Sequence, residues 1–135
     1  MVTQVIVVED DNDSREILSE YLEMKEIKVV AKAQDGKEAV DMYTKFRPEV
    51  VLLDIIMPGY DGFYALERIR ELDSNAKIIF VTAATNATTQ AKLFNSDVDG
   101  IVFKPYEMNE LMDAITTVKN GGKRIPRSVR SISHS

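Results

Sequence analysis

The chain has 135 residues, 22 acidic against 17 basic, a formal net charge of −5 and no cysteine. That length supplies one domain with a real core, and the lack of cysteine excludes disulfides and thiolate metal sites. No apolar stretch approaches the roughly 18 residues of a membrane span and the N-terminus has no signal-peptide pattern, so a soluble, cytoplasmic protein is expected.

Short apolar runs alternate with helical patterns five times, the signature of repeated β-α units and an α/β fold around a parallel sheet. Residues 5–8 (VIVV) read as a strand buried on both faces. Asp13 with Glu16 three residues later predicts an N-cap and capping partner, opening a helix striped by Ile17, Leu18, Tyr21 and Leu22. A second strand is predicted over 27–33, where KVVAKA is half alternating, as expected nearer a sheet edge. Asp35-Gly36 marks a turn, and Ala39, Val40, Tyr43 and Phe46 stripe the second helix until Pro48 stops it. VVLL at 50–53 is the third strand, and Pro58-Gly59 and Asp61-Gly62 behind it form turns in which both glycines are structural.

The third helix carries Leu66, Ile69 and Leu72 and ends in Asp73-Ser74-Asn75. Residues 78–81 form the fourth strand. The helix that follows, over 86–96, is rich in Asn and Thr, has the poorest propensity in the chain and is expected to be the most mobile. Residues 101–103 form the last strand, and a helix over 107–120 carries Leu111, Ala114, Ile115 and Val118, with Gly121 as its C′ residue.

Charge is unevenly spread. Every acidic residue precedes Gly121, whereas Lys123, Arg124, Arg127 and Arg130 follow it. The expected division is a domain over 1–122 and a basic, Ser-rich flexible tail or linker remnant over 123–135. An acidic body argues against a nucleic-acid surface on the domain itself. The single histidine, His134, lies in the tail with no partners for a metal or phosphotransfer site.

The chemically active residues stand at the ends of the apolar runs. Glu9-Asp10, Asp54, Thr82 and Lys104 follow four of them directly, and in open α/β sheets ligands bind at the carboxyl ends of the strands. Three carboxylates in one patch repel by up to roughly 4 kcal/mol per pair at 4 Å and an effective dielectric near 20, which is tolerable only around a cation. Hard oxygen ligands of this kind suit Mg²⁺, with Mn²⁺ as a second candidate. Asp11 by itself reads as a loop residue. Asp54 does not, because it sits between Val-Val-Leu-Leu and Ile-Ile-Met-Pro, where a charge must be paired or bind metal.

In this order, VIVVEDD, VVLLDIIMPGYDG, IIFVTA and IVFKP resemble the receiver domain of two-component response regulators, of the stand-alone chemotaxis-regulator type, from about residue 3 to 121. The resemblance implies a doubly wound five-stranded parallel sheet in the flavodoxin-like order 2-1-3-4-5, with helices on both faces. It further implies that Asp54 is the phosphoacceptor, and that Glu9, Asp10, Asp54 and the backbone carbonyl of Ile56 bind the metal. Thr82 would hydrogen-bond the phosphoryl group, and Lys104, aimed by a cis bond to Pro105, would pair with it. The phosphodonor would be a sensor histidine kinase or phosphotransfer domain. Such a chain is a signalling module that takes part in its own phosphotransfer, not an enzyme.

Two departures from the family pattern carry consequences. Ile101 replaces the aromatic that many receivers place three residues before the lysine. Ile56 and Ala84, two residues past Asp54 and Thr82, are apolar and cannot hold an attacking water, so slow loss of the phosphoryl group is expected. Two other readings stand beside the stand-alone receiver. In one, the chain is the receiver half of a longer regulator with a DNA-binding or enzymatic output domain. In the other it is a metal-dependent phosphatase, disfavoured because Ile56 occupies the place of a second aspartate.

Overall fold

A computed structural model describes residues 2–83, 86–127 and 129. Ten elements alternate along the chain: β1 (Gln4–Val8), α1 (Asn12–Met24), β2 (Lys28–Ala33), α2 (Gly36–Phe46), β3 (Val50–Leu53), α3 (Gly62–Leu72), β4 (Ile78–Thr82), α4 (Ala87–Phe94), β5 (Gly100–Phe103) and α5 (Met108–Lys119). All strand pairs are parallel and the order is β2-β1-β3-β4-β5, as the sequence implied.

The central strands read as continuous apolar runs because both their faces are covered. Ile6, Val8, Val51, Leu53, Ile78 and Phe80 meet α2, α3 and α4 through Ala39, Tyr43, Leu66, Ile69 and Leu93. Their neighbours Val5, Val7, Val50, Leu52, Ile79 and Val81 meet α1 and α5 through Leu22, Leu111, Ala114, Ile115 and Val118. Burying each large aliphatic side chain contributes about 1.5–3 kcal/mol, so the strands are fixed in depth and register by the core alone.

Two expectations for α1 need correction. The helix opens one turn-fraction earlier than predicted: Asp11, not Asp13, is the N-cap, accepting the Ser14 N–H at 2.8 Å. Asp13 instead occupies the first turn, where its charge complements the helix dipole. The buried face is Leu18, Ser19 and Leu22, and Ile17 is 67% exposed. Phe46 and Leu72, expected on buried stripes, also lie partly open at the ends of α2 and α3. α2 and α3 are capped by Asp35 and Asp61, which accept the Glu38 and Tyr64 N–H groups. Gly121 takes φ +92 directly after α5, as a C′ residue should.

Contacts with the sheet continue past residue 122, and of the expected tail over 123–135 residues 128 and 130–135 lie outside the described residues. Arg124 forms a parallel bridge with Gly100 on the free edge of β5, donating to the Asp99 carbonyl at 2.8 Å and accepting from the Ile101 N–H at 3.0 Å. Beyond it Ile125 and Val129 pack on the α4 side of the core. These two aliphatic side chains give an otherwise basic segment something to bury. His134 lies outside the described residues.

Asp99 ties this end of the molecule together. Its carboxylate accepts the Ile78 N–H at 2.8 Å, Arg70 at 2.9 Å and Lys123 at 3.0 Å, so it joins the start of β4, the end of α3 and the chain after α5. Arg70 also donates to the carbonyls of Ala76 and Asp97. Burial on its own would raise the Asp99 carboxyl, but the hydrogen bonds from Ile78, Lys123 and Arg70 outweigh it and hold the group below its usual range. A carboxyl held low contributes stability in full above its unfolded value near 3.9, and that contribution is lost as pH falls through the folded value. Asp99→Asn should therefore lower unfolding free energy by about 1–3 kcal/mol at pH 7. Urea titrations of wild type and variant should show the gap narrowing as pH drops below about 4.

Candidate functional site

The ends of β1 and β3 lie side by side because Val8 pairs with Leu53, and the chain continues directly into Glu9-Asp10 and Asp54. The backbone pins both exits: the Glu9 N–H donates to the Ala33 carbonyl and the Asp54 N–H to the Val8 carbonyl, each at 3.0 Å. One carboxylate oxygen from each of Glu9, Asp10 and Asp54 can be chosen so that all lie within 4.8 Å of one another. Glu9 is buried, Asp54 half-buried and Asp10 exposed, so the cluster opens outward through Asp10.

Lys104 reaches this cluster from the far side of the sheet. It follows β5 directly, its N–H donates to the Thr82 carbonyl at 2.9 Å, and the Lys104-Pro105 peptide is cis. Its ammonium donates to Glu9 Oε1 at 2.6 Å and to Asp54 Oδ2 at 3.5 Å. Thr82 closes β4 and is buried at the same end of the sheet. Ile56 stands in the β3–α3 loop, 57% exposed. Ala84 lies outside the described residues.

The electrostatics follow from one ammonium facing three carboxylates. Burial, only partly offset by Lys104 and reinforced by Glu9, pushes the Asp54 carboxyl up to about 6. Burial and the neighbouring Glu9 also raise Asp10. Glu9 goes the other way: burial would raise it, but the Lys104 ammonium that donates to it leaves it below the usual value. Burial disfavours a charged Lys104, yet Glu9 and Asp54 keep its ammonium above the usual range. The site thus holds more negative charge than its own cation compensates, and its donors are hard oxygens. A divalent cation fits both facts.

Residues outside the sequence-predicted set hold the cluster in place. Arg15 donates to the Glu9 carbonyl at 2.8 Å, and the Asp11 N–H donates to Glu9 Oε2 at 3.3 Å. The Ile55 N–H donates to Asp54 Oδ1 at 2.7 Å. A Cβ on Gly62 would collide with the Asp54 carbonyl and stand 2.8 Å from the Ile55 Cα, so only glycine lets α3 start this close to Asp54. Arg15 carried no sequence signal, being one of several charges on an exposed helix. A groove of about 820 Å³ between α3 and α4 is lined by none of the cluster residues.

A doubly wound parallel sheet with three carboxylates and a lysine gathered at its strand ends defines an α/β domain with an acidic rim. The family profile described as response regulator receiver domain matches residues 5–116, and the chain belongs to that family. It is 37% identical to the chemotaxis protein CheY of Halobacterium salinarum over 87% of this chain and 98% of that one. A LuxR-family two-component response regulator from Aurantimonas superposes with a TM-score of 0.86 at 27% identity, covering 97% of this chain and 94% of the other. CheY in the CheX-CheY-BeF3-Mg+2 complex from Borrelia burgdorferi matches with a TM-score of 0.75 at 26% identity, over 82% and 84% of the two chains. Among the described residues no helix is long and apolar enough to cross a membrane.

Two outcomes follow from this geometry. Lys104→Met should depress the melting temperature in EDTA much more than in millimolar Mg²⁺, whereas Asp10→Asn should raise it in EDTA by relieving repulsion; thermal melts in both buffers check the pair. Gly62→Ala should destabilise the domain by about 1–3 kcal/mol through the forced shift at Asp54, read from urea unfolding.

Proposed function

We propose that this receiver domain accepts a phosphoryl group on Asp54 from the phosphohistidine of a sensor kinase or phosphotransfer domain, and that the modification switches a partner-binding face. The observation that carries this reading is the convergence of Asp54, Glu9 and Asp10 within 4.8 Å, with Lys104 bonded to two of them. We place the phosphoacceptor domain at residues 1–122, with the basic segment appended to it, and the acidic body makes no nucleic-acid contact of its own.

An Asp54 oxygen, ionised above about pH 6, is the nucleophile. As its bond to phosphorus forms, the phosphorus–nitrogen bond to the donor histidine breaks, and the ring nitrogen keeps the electron pair. No base on this chain is needed, since the carboxylate arrives without a proton. Glu9, Asp10, Asp54 and the Ile56 carbonyl would hold Mg²⁺ or Mn²⁺, which when bound supplies positive charge to the transferring phosphoryl oxygens. Lys104 turns from Asp54 to one of those oxygens, and the Thr82 hydroxyl donates to another. Glu9 keeps Lys104 close in either state, because its hydrogen bond to the ammonium is the shorter of the two.

Incubation with a small acyl or amidophosphate and Mg²⁺ should add one hydroxylamine-sensitive phosphoryl group by intact mass. The addition should vanish in Asp54→Asn and without divalent cation; full phosphorylation of Asp54→Asn would sink the assignment. The exposed Ile56, apolar and stiff at χ1, orients no water for hydrolysis. Ile56→Asn should accelerate loss of the phosphoryl group by about tenfold, equivalent to roughly 1.4 kcal/mol of barrier, measured as decay of the phosphorylated species.

A further inference from the structure

The segment after α5 lies on the side of the molecule where the domain is least firmly packed. Within α4 only Thr89 and Leu93 are buried. Leu93 shares its core cluster with Val98, Ile101 and Val129, and Ile125 packs against the same cluster. Lys123, Ile125 and Val129 line one small cleft with Leu93, Val98 and Ile101. The segment is held by three kinds of contact. Arg124 gives it backbone bonds to Asp99 and Ile101, Lys123 an ion pair to Asp99 at 3.0 Å, and Val129, 5% exposed, an apolar anchor. Half of the β5 edge, which would otherwise offer unpaired backbone groups, is thereby occupied.

We propose that residues 123–127 with Val129 form a displaceable strap that holds α4 against β5, and that strap docking and occupancy of the Asp54 site oppose each other. α4 hangs between two attachments. At its N-terminus, four residues after Thr82, the cap Asn86 accepts the Thr89 N–H. At its other end, Leu93 is wedged with Ile101 and the strap. A group bound at Asp54 that draws Thr82 inward moves the first attachment, and any rotation of α4 away from β5 separates Leu93 from Val129. The strap favours the arrangement in which Leu93 and Val129 share one cluster, so a ligand that favours another arrangement must loosen it. Linkage makes the effect reciprocal: weakening the strap tightens the ligand. This inference rests on the reading of Asp54 as phosphoacceptor.

The test uses the full chain and beryllofluoride with Mg²⁺ as the probe, its bound fraction read by ¹⁹F NMR. In the double variant Lys123→Glu, Ile125→Ser the affinity for the probe should rise at least about fivefold, the lower end of typical coupling between sites. In wild type, saturation with the probe should accelerate hydrogen exchange at the Arg124 and Ile101 amides, the two that tie the strap to β5. Equal affinity in both proteins together with unchanged exchange at those amides overturns the strap while leaving the phosphoacceptor reading intact. Absence of any probe binding to wild type overturns that reading itself, and the coupling with it. If the double variant fails to fold, the wild-type exchange measurement alone decides: faster exchange at the two amides supports the strap, and no change refutes it.

Discussion

The ion contact between Lys104 and the pair Glu9 and Asp54 is the constraint around which the rest of the molecule is arranged. A sheet whose strands are all parallel brings their carboxyl ends to one rim, and here that rim receives three acids from two adjacent strands. Such a cluster works against folding, since like charges in a half-buried patch repel and each loses hydration. One ammonium from the edge strand offsets part of this, and it can do so only because β4 and β5 stay in register up to Thr82 and Phe103. The buried apolar runs of β1, β3, β4 and β5 behind the rim contribute the stability that lets the cluster persist. Local inconsistency of this kind is what a binding site looks like in a fold that is otherwise consistent.

The strands and the order of the site residues were legible because both depend on composition at fixed places. A strand buried on both faces has to be an apolar run, and a group at its end has to be the first polar residue after that run. Glu9, Asp54, Thr82 and Lys104 all satisfy this rule. Helix details were less legible. Asp11 and Asp13 both offer a cap, and the pairing of Asp13 with Glu16 looked the better one. What decided in favour of Asp11 was the path of the chain leaving β1, which delivers its side chain to the Ser14 N–H. Ile17 followed the apolar period of α1, but the helix covers the sheet with a narrower face that ends at Leu18. The unequal approach of Lys104 to Glu9 and Asp54 is a matter of side-chain placement that no spacing encodes. The segment after α5 was masked by its charge: Lys123, Arg124 and Arg127 advertise a solvated tail, while the two residues that dock it, Ile125 and Val129, stand four apart with Pro126 between them.

The two sides of the site are built with different stiffness. On the Asp54 side, the β3–α3 loop is gripped at both ends. Gly62 sits under the Asp54 carbonyl, and Gly36 approaches Tyr60 and Asp61 so closely that its N–H donates to the Tyr60 carbonyl at 2.7 Å. Neither place admits a side chain, so the loop cannot drift without moving α2 or α3. On the Thr82 side, the chain leaves the sheet into a short helix with two buried residues.

That asymmetry decides where a change of charge at the rim can go. The proposed modification of Asp54 would add bulk and negative charge beside a loop held at both ends, so the compensating movement would fall to Lys104 and Thr82. Lys104 is restrained by Glu9, whose own carbonyl is held by Arg15. Thr82 is followed by a helix whose chief anchor, Leu93, shares its core cluster with Ile101 and with Val129 of the segment after α5. Burial falls along this path from β3, buried throughout, to α4, with two buried residues, and elements that move are drawn from the less firmly packed end. The packing that fixes Asp54 would therefore direct the consequences of the proposed phosphorylation toward α4 and the β5 edge, where the basic segment after α5 has its hold.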